Sequence, residues 1–437
     1  MVAAVWEATR DTVQETFLHF VWNYQRFASA HLVTVEDQPI EIYNLGHHNS
    51  DAGPDFLQAK LRIGDICWYG SVEIHINSSD WDRHDHQSDT KYNSVILHVV
   101  WNHDKECCRE DGERLPVLQL SDRVDLQLLS KSNSLINSPL AIPCQEQFSQ
   151  VRNIDKVSML DHACVERLRR KSALLLDMLD SNVGSWEETA YQWIAQHFGF
   201  KKNAEAMLKL ATRLPHKLLL KHQPEPLDVE ALVFGVAGFL EGEARDQHHA
   251  ELKRRYDYLA KKYNLQEQEM LRVEWDFLRM RPSNFPTVRL AQLICFVSTH
   301  AKFFDLIVHG TSGMEVRGFF DMKVSAYWQL HYDFGKTSKR VTAGIGKSSV
   351  DVLLINGVVT LLTAYGTSVG ETRYLDRAVD LLQGLKPEQN SIISDWEALG
   401  MEVTSAFDTQ ALIELKNEFC LKKKCLSCKI GLKILSS

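Results

Sequence analysis

Between Val13 and Phe27 the apolar residues Val13, Phe17, Phe20, Val21, Tyr24 and Phe27 recur at three- and four-residue steps, predicting a helix over 12–28 with one buried face. The pattern then changes to strands, at 40–43, 56–63 and 66–76, with Gly64-Asp65 as a hairpin turn between the last two. In Val72-Glu73-Ile74-His75-Ile76 apolar and polar residues alternate, so Glu73 and His75 project from the same face. A polar stretch, 77–93, contains a short helix opening at Ser78 or Ser79. The apolar run 95–101 predicts a buried strand, and 115–120 another. From about residue 150 the texture turns helical, over 155–180, 186–198, 203–221, 228–240, 245–262, 266–281, 287–308, 350–365, 370–383, 390–400 and 408–420. Ser185 and Asp228 read as N-caps, and Pro282 and Pro286 mark an ordered turn. The boundary falls between Leu120 and Asp155. The layout is an α/β domain over 1–125, a linker over 126–154 and an all-α domain over 155–437 that carries the last cysteines.

Composition narrows this picture only a little. A chain of 437 residues exceeds one ordinary core, and 44% hydrophobic with 24% charged residues fits a globular protein. A net charge of −8 argues against a uniformly basic nucleic-acid binder but leaves room for a local basic groove. No apolar run approaches the ~18–20 residues that span a bilayer. The N-terminus reads as an amphipathic helix and the cysteines as reduced thiols, so a cytoplasmic protein without membrane attachment is expected.

The stretch 46–104 holds the densest chemistry. Pro54-Asp55 opens one strand and Glu73-Ile74-His75 lies in the next, an order that brings two carboxylates and a basic side chain to neighbouring strands, where they can hold a divalent ion. The succession of helix, strand, strand opening with Pro-Asp, strand with Glu-x-basic and buried strand resembles the core of PD-(D/E)XK nucleases over residues 12–120. That resemblance implies a mixed sheet flanked by helices, with Asp55, Glu73 and the Ile74 carbonyl as ligands for Mg²⁺ or Mn²⁺. It further implies hydrolysis of phosphodiester bonds in nucleic acid. His75 stands where the family has lysine, so it serves as a base near the attacking water, or as a nitrogen ligand favouring Mn²⁺, Fe²⁺ or Zn²⁺, or marks a site without activity. Glu15 in the first helix could supply a further carboxylate, but a solvent-facing helix glutamate is the favoured reading.

Histidines supply a second reading. His47, His48, His75, His84, His86, His98 and His103 crowd the same stretch with Asp51, Asp80, Asp82, Asp85 and Asp89. His84 and His86 alternate along RHDHQSD as an extended chelating pair, and His98 on the buried strand faces the cleft of Glu73 and His75. A zinc or iron hydrolase of small molecules therefore competes with the nuclease. A non-catalytic binding protein, whose helical part recognises a partner and whose acidic strands are structural, is the remaining class.

Near the end, Cys420, Cys425 and Cys428 have the spacing C-x4-C-x2-C, which suits zinc or an iron–sulfur cluster given a fourth ligand; Cys144 qualifies if the fold brings it close. VTAGIGKSS fails the phosphate-loop pattern because Val341 stands where glycine is required. In RMRPSNFPTVR, Arg279, Arg281 and Arg289 fit internal packing better than phosphate contacts in an acidic chain. Taken together, NSDAGPDF, GSVEIH, SSDWDRHDH, YNSVILHVVWNHD, FLRMRPSNFPTVRLAQL and CLKKKCLSCKIG resemble an uncharacterised bacterial family, known as a conserved domain of unknown function, over nearly the whole chain. That resemblance implies one architectural unit and brings no activity, substrate or partner.

Overall fold

The computed structural model describes residues 13–49, 51–310, 313–337 and 344–436. The start of the expected N-terminal helix, and Val341, lie outside this range. Two compact units divide the chain: residues 1–161, 398–400 and 414–437 form one, and 162–397 with 401–413 form the other.

In the first unit, helix α1 (Glu15–Asn23) carries Phe17, Leu18, Phe20, Val21 and Trp22 inward. It is shorter than its apolar period because Gln25 takes a left-handed φ of 49° and the Arg26 amide closes onto the Val21 carbonyl at 2.8 Å. Phe27 keeps the period as a tertiary contact, stacked on Trp22 with ring centroids 5.8 Å apart. The sheet runs β1 (Ile40–Asn44), β2 (His47–His48), β3 (Phe56–Ile63), β4 (Ile66–Asn77), β5 (Val95–Asn102) and β6 (Val117–Gln119). Its spatial order is β1-β3-β4-β5-β6, with β2 also on β3. β1, β2 and β4 lie antiparallel to β3, whereas β4, β5 and β6 run parallel. Val95 to Trp101 is buried throughout, as expected for a parallel strand covered on both faces. Helix α2 (Asp80–Arg83) sits in the β4–β5 crossover, and α1 packs against β4.

Gly70 is where β5 first approaches β4. A Cβ there would stand 2.3 Å from the Ser94 carbonyl oxygen and 2.5 Å from Ile96 Cγ2. Gly70→Ala is expected to cost about 1–3 kcal/mol through overpacking, read as a lower urea midpoint with unchanged slope.

The expected linker is mostly built structure. It holds α3 (Leu126–Ile136), N-capped by Asp125, whose side chain accepts the Gln127 amide. The C-terminal segment 414–437, cysteines included, belongs to the first unit and not to the helical one. Lys429 makes the join through Ser158, its ammonium 2.8 Å from the Ser158 hydroxyl. Helix α4 (Asn153–Ser181) runs across the boundary between the units.

Among its described residues the second unit is helical apart from a two-stranded hairpin, His331–Asp333 with Lys336–Thr337, which the all-α expectation lacked. Ser185 caps Trp186–Phe198, its side chain accepting the Glu188 amide. Asp228 lies inside the first turn of Pro226–Val236 and not at its cap; it accepts from Arg255 at 2.7 Å. Pro215 splits the expected helix 203–221 into Ala204–Arg213 and His216–His222. No α-helix forms over 266–281. There the Met270 amide bonds the Val236 carbonyl at 2.7 Å and the Trp275 indole bonds the Ala237 carbonyl at 2.9 Å, so tertiary contacts override local propensity. Arg289 is buried, bonded to Asn284 and Gln292 and lying 4.1 Å over the Phe200 ring, which makes it structural. Contrary to the expectation from apolar runs, Lys347–Val369 is long and apolar enough by composition to cross a membrane, and 67% of its apolar window is buried in the protein.

Candidate metal centre

Asp55 immediately precedes β3, and Phe56 pairs with Val72, so Asp55 lies beside Glu73 on β4. The two are laced together through the backbone. The Asp55 amide donates to Glu73 Oε2 at 3.0 Å, and the Ile74 amide donates to Asp55 Oδ2 at 3.0 Å. Strand alternation puts His75 on the face of Glu73, and the parallel register sets His98 opposite Glu73. His75 Nδ1 then meets His98 Nε2 at 2.9 Å.

His84 and His86 arrive by a route different from the expected extended pair. His84 ends α2, Asp85 adopts a left-handed φ of 60°, and His86 opens a 3-10 turn, so the chain doubles back and drops both rings beside His75. Asp85 tolerates this backbone at low cost. His86 is clamped between Tyr92, stacked at 3.7 Å, and Trp81 at 5.4 Å.

Three imidazoles converge as a result, with Glu73 beside two of them. His75 Nε2 is 3.1 Å from His84 Nδ1, His75 Nε2 is 3.6 Å from Glu73 Oε1, and His86 Nε2 is 3.4 Å from the same oxygen. His75, His84 and His86 offer nitrogens that all lie within 4.8 Å of one another. Donors on a tetrahedron ~2.1 Å from its centre stand about 3.4 Å apart, close to the His75–His84, His75–Glu73 and His86–Glu73 separations, and imidazole donors suit a transition ion such as Zn²⁺, Mn²⁺ or Fe²⁺. The two carboxylates are not equivalent here. Asp55 Oδ2 is engaged by the Ile74 amide and lies 3.3 Å from His19 Nε2, while Glu73 Oε1 faces the imidazoles.

Burial governs the electrostatics. It pulls the His75 imidazole down to about 2, helped by His98 and His86, and His98 down to about 3. Both rings are therefore neutral near pH 7, the form that binds metal. Glu73 is pushed up by burial and by Asp55, against the lowering effect of His86. With His98 Nε2 accepting from His75 Nδ1, the His98 proton sits on its Nδ1, which is buried without a partner.

Several neighbours escaped sequence reasoning. Glu15 turns out half-buried and inward; burial and then Asp55 raise its pKa. Burial lowers His19, but Asp55, Glu15 and Glu73 outweigh it and the net shift is upward. Glu15 and His19 stand one helical turn apart, which is the signal that could have found them. His19 and His48 also line a cavity of about 480 Å³ whose wall includes Lys422, Lys423 and Lys424. By contrast, His47 is exposed, and most of the aspartates do structural work. Asp80 accepts the Asn77 amide, Asp82 pairs with Lys105 and Asp89 caps the turn at Thr90–Ser94.

No curated protein matches the chain, and no solved structure does. A family model does match, over residues 15–391, and its description is protein of unknown function, DUF2851. With most of its length so matched, the chain belongs to the DUF2851 family.

Proposed function

We propose that the first unit is a metal-dependent phosphodiesterase acting on nucleic acid, with one divalent transition ion held by Glu73, His75, His84 and His86. The observation that carries this reading is the meeting of three imidazoles within 4.8 Å of one another, with the buried Glu73 Oε1 3.6 Å from His75 Nε2 and 3.4 Å from His86 Nε2. The helix, the antiparallel strands and the parallel β5 follow the order that the PD-(D/E)XK resemblance implies, which supports the nuclease reading over other hydrolases. Substitution of three imidazoles for a lysine and water ligands shifts the preferred ion away from Mg²⁺.

An ion in such a site supplies Lewis acidity toward a phosphoryl oxygen and lowers the pKa of water. The protein's own groups do the rest. His98 holds His75 in the tautomer that leaves Nε2 free. Asp55 and Glu15 favour the protonated form of His19 against the opposing effect of burial, and its ring borders the cavity, so His19 is placed to protonate a leaving oxygen. Lys422 and Lys424, exposed on the cavity wall, attract a polyanion.

A non-catalytic binding role is favoured by one feature, the engagement of Asp55 by the Ile74 amide and His19. Labelled DNA and RNA incubated with the full chain and Mn²⁺ separate the two readings. Cleavage is expected from the wild type and a fall to background from Glu73→Ala and Asp55→Ala with circular dichroism unchanged. Wild-type rates in both variants, or no cleavage by the wild type with any of Mn²⁺, Zn²⁺ and Fe²⁺, would rule out the hydrolase.

A further inference from the structure

Outside this site the first unit gathers four thiols from opposite ends of its sequence. Cys144, Cys420, Cys425 and Cys428 are each 7% exposed, and none forms a disulfide. Lys423 ties the two segments together, its ammonium donating to the Ser138 and Leu140 carbonyls at 2.5 and 3.0 Å. The sulfurs sense one another. Burial raises the Cys144 thiol to about 12, and the neighbouring Cys428 and Cys425 push it the same way. Cys420 is raised by burial and by all three of the others.

The Cys425–Cys428 turn is closed by the Cys428 amide, which donates to the Cys425 carbonyl at 3.3 Å. Burial raises the Cys428 thiol, and the Gly431 and Ile430 backbone N–H groups oppose that rise. Backbone N–H groups aimed at sulfur stabilise its anion. Gly431 is needed for this closeness, because a Cβ there would lie 2.1 Å from the Cys425 carbonyl oxygen. Four buried thiols drawn from two distant segments offer a set of soft ligands.

We propose that Cys144, Cys420, Cys425 and Cys428 form a four-thiolate metal centre, holding either an iron–sulfur cluster or a zinc ion. Among the described residues, the donors that meet within 4.8 Å of one another are the three histidines, so the thiols are spaced more widely than the ~3.8 Å edge of a zinc tetrahedron. That wider frame favours the cluster. Such a centre fastens the segment after Cys420, and with it Lys422, Lys423 and Lys424, to the body of the first unit. This is a second site, independent of the histidine centre in residues and in the softness of its ligands.

The full chain, purified without oxygen, is assayed for zinc, iron and acid-labile sulfide. About one zinc, or iron with matching sulfide and a visible charge-transfer band, is expected per chain at this site. Cys144→Ser and Cys428→Ser lose it, while Glu73→Gln and the exposed-thiol variant Cys67→Ser retain it. Should the serine variants misfold, the wild type still reports: its four buried thiols resist alkylation until a chelator strips the metal. Absence of zinc and iron after anaerobic reconstitution, metal and sulfide contents in both serine variants undiminished from wild type, or thiols equally unreactive with and without chelator would each overturn the proposal.

Discussion

Glu73→Gln is expected to weaken Mn²⁺ or Zn²⁺ binding at the histidine centre by more than about 100-fold, because it removes a charged ligand where even an outer partner is typically worth ~10–100-fold. The amide keeps the size and one acceptor oxygen, so the Asp55 amide retains its partner and the strands stay laced. Two further variants place the effect. His98→Leu takes away the acceptor that orients His75 and is expected to cost ~10–100-fold. Asp55→Asn, whose Oδ2 already serves the Ile74 amide and His19, is expected to fall within about tenfold of wild type. Isothermal calorimetry on the full chain with the thiol centre already loaded gives the three constants. Equal affinity in wild type and Glu73→Gln would remove the carboxylate from the ligand set and the hydrolase reading with it.

The second large effect concerns acid stability. His75 and His98 sit at about 2 and about 3 when folded, against 6.5 when unfolded. Between those values the unfolded chain binds the additional protons, so stability is present above pH 6.5 and is lost as pH falls toward 3. One buried neutral imidazole withdraws about 3 kcal/mol between pH 6.5 and 4, at ~1.4 kcal/mol per unit. The two rings share a hydrogen bond and titrate as a pair, so the sum is less than twice this. Glu73 acts in the opposite sense. Its raised pKa makes the folded state hold a proton above 4.5, which lowers stability as pH rises through that range. Comparing slopes removes that term. Urea midpoints measured from pH 7 to 4 should fall steeply in wild type and less steeply in His98→Gln. Identical slopes would show that His98 takes up its proton in the folded state.

Much of this site could be read along the strands. The alternation around Glu73 and His75, the Pro-Asp pair and the buried run at Val95 each carry a local period, and β3, β4 and β5 appear where those periods place them. His86 was legible as half of a chelating pair with His84, but in an extended segment. Its position depends on the left-handed Asp85, a single backbone choice that no spacing rule encodes. Glu15 and His19 were hidden for another reason. Their helix announces itself through Phe17, Phe20 and Val21, and the polar residues between them read as solvated until the strands supply Asp55 as a neighbour. Cys144 is the extreme case: the sequence offers it as a fourth ligand only if the fold brings it close, because the other three thiols lie beyond the whole second unit in sequence.

The return of residues 414–437 to the first unit also sets a schedule for biogenesis. A ribosome delivers the sheet early, yet the segment that completes its unit leaves the exit tunnel only after every helix of the inserted unit has been made. Until then the nascent sheet waits with Cys144 unaccompanied and the surface under Lys429–Ser436 bare, a period in which chaperone engagement and cofactor delivery can act on it.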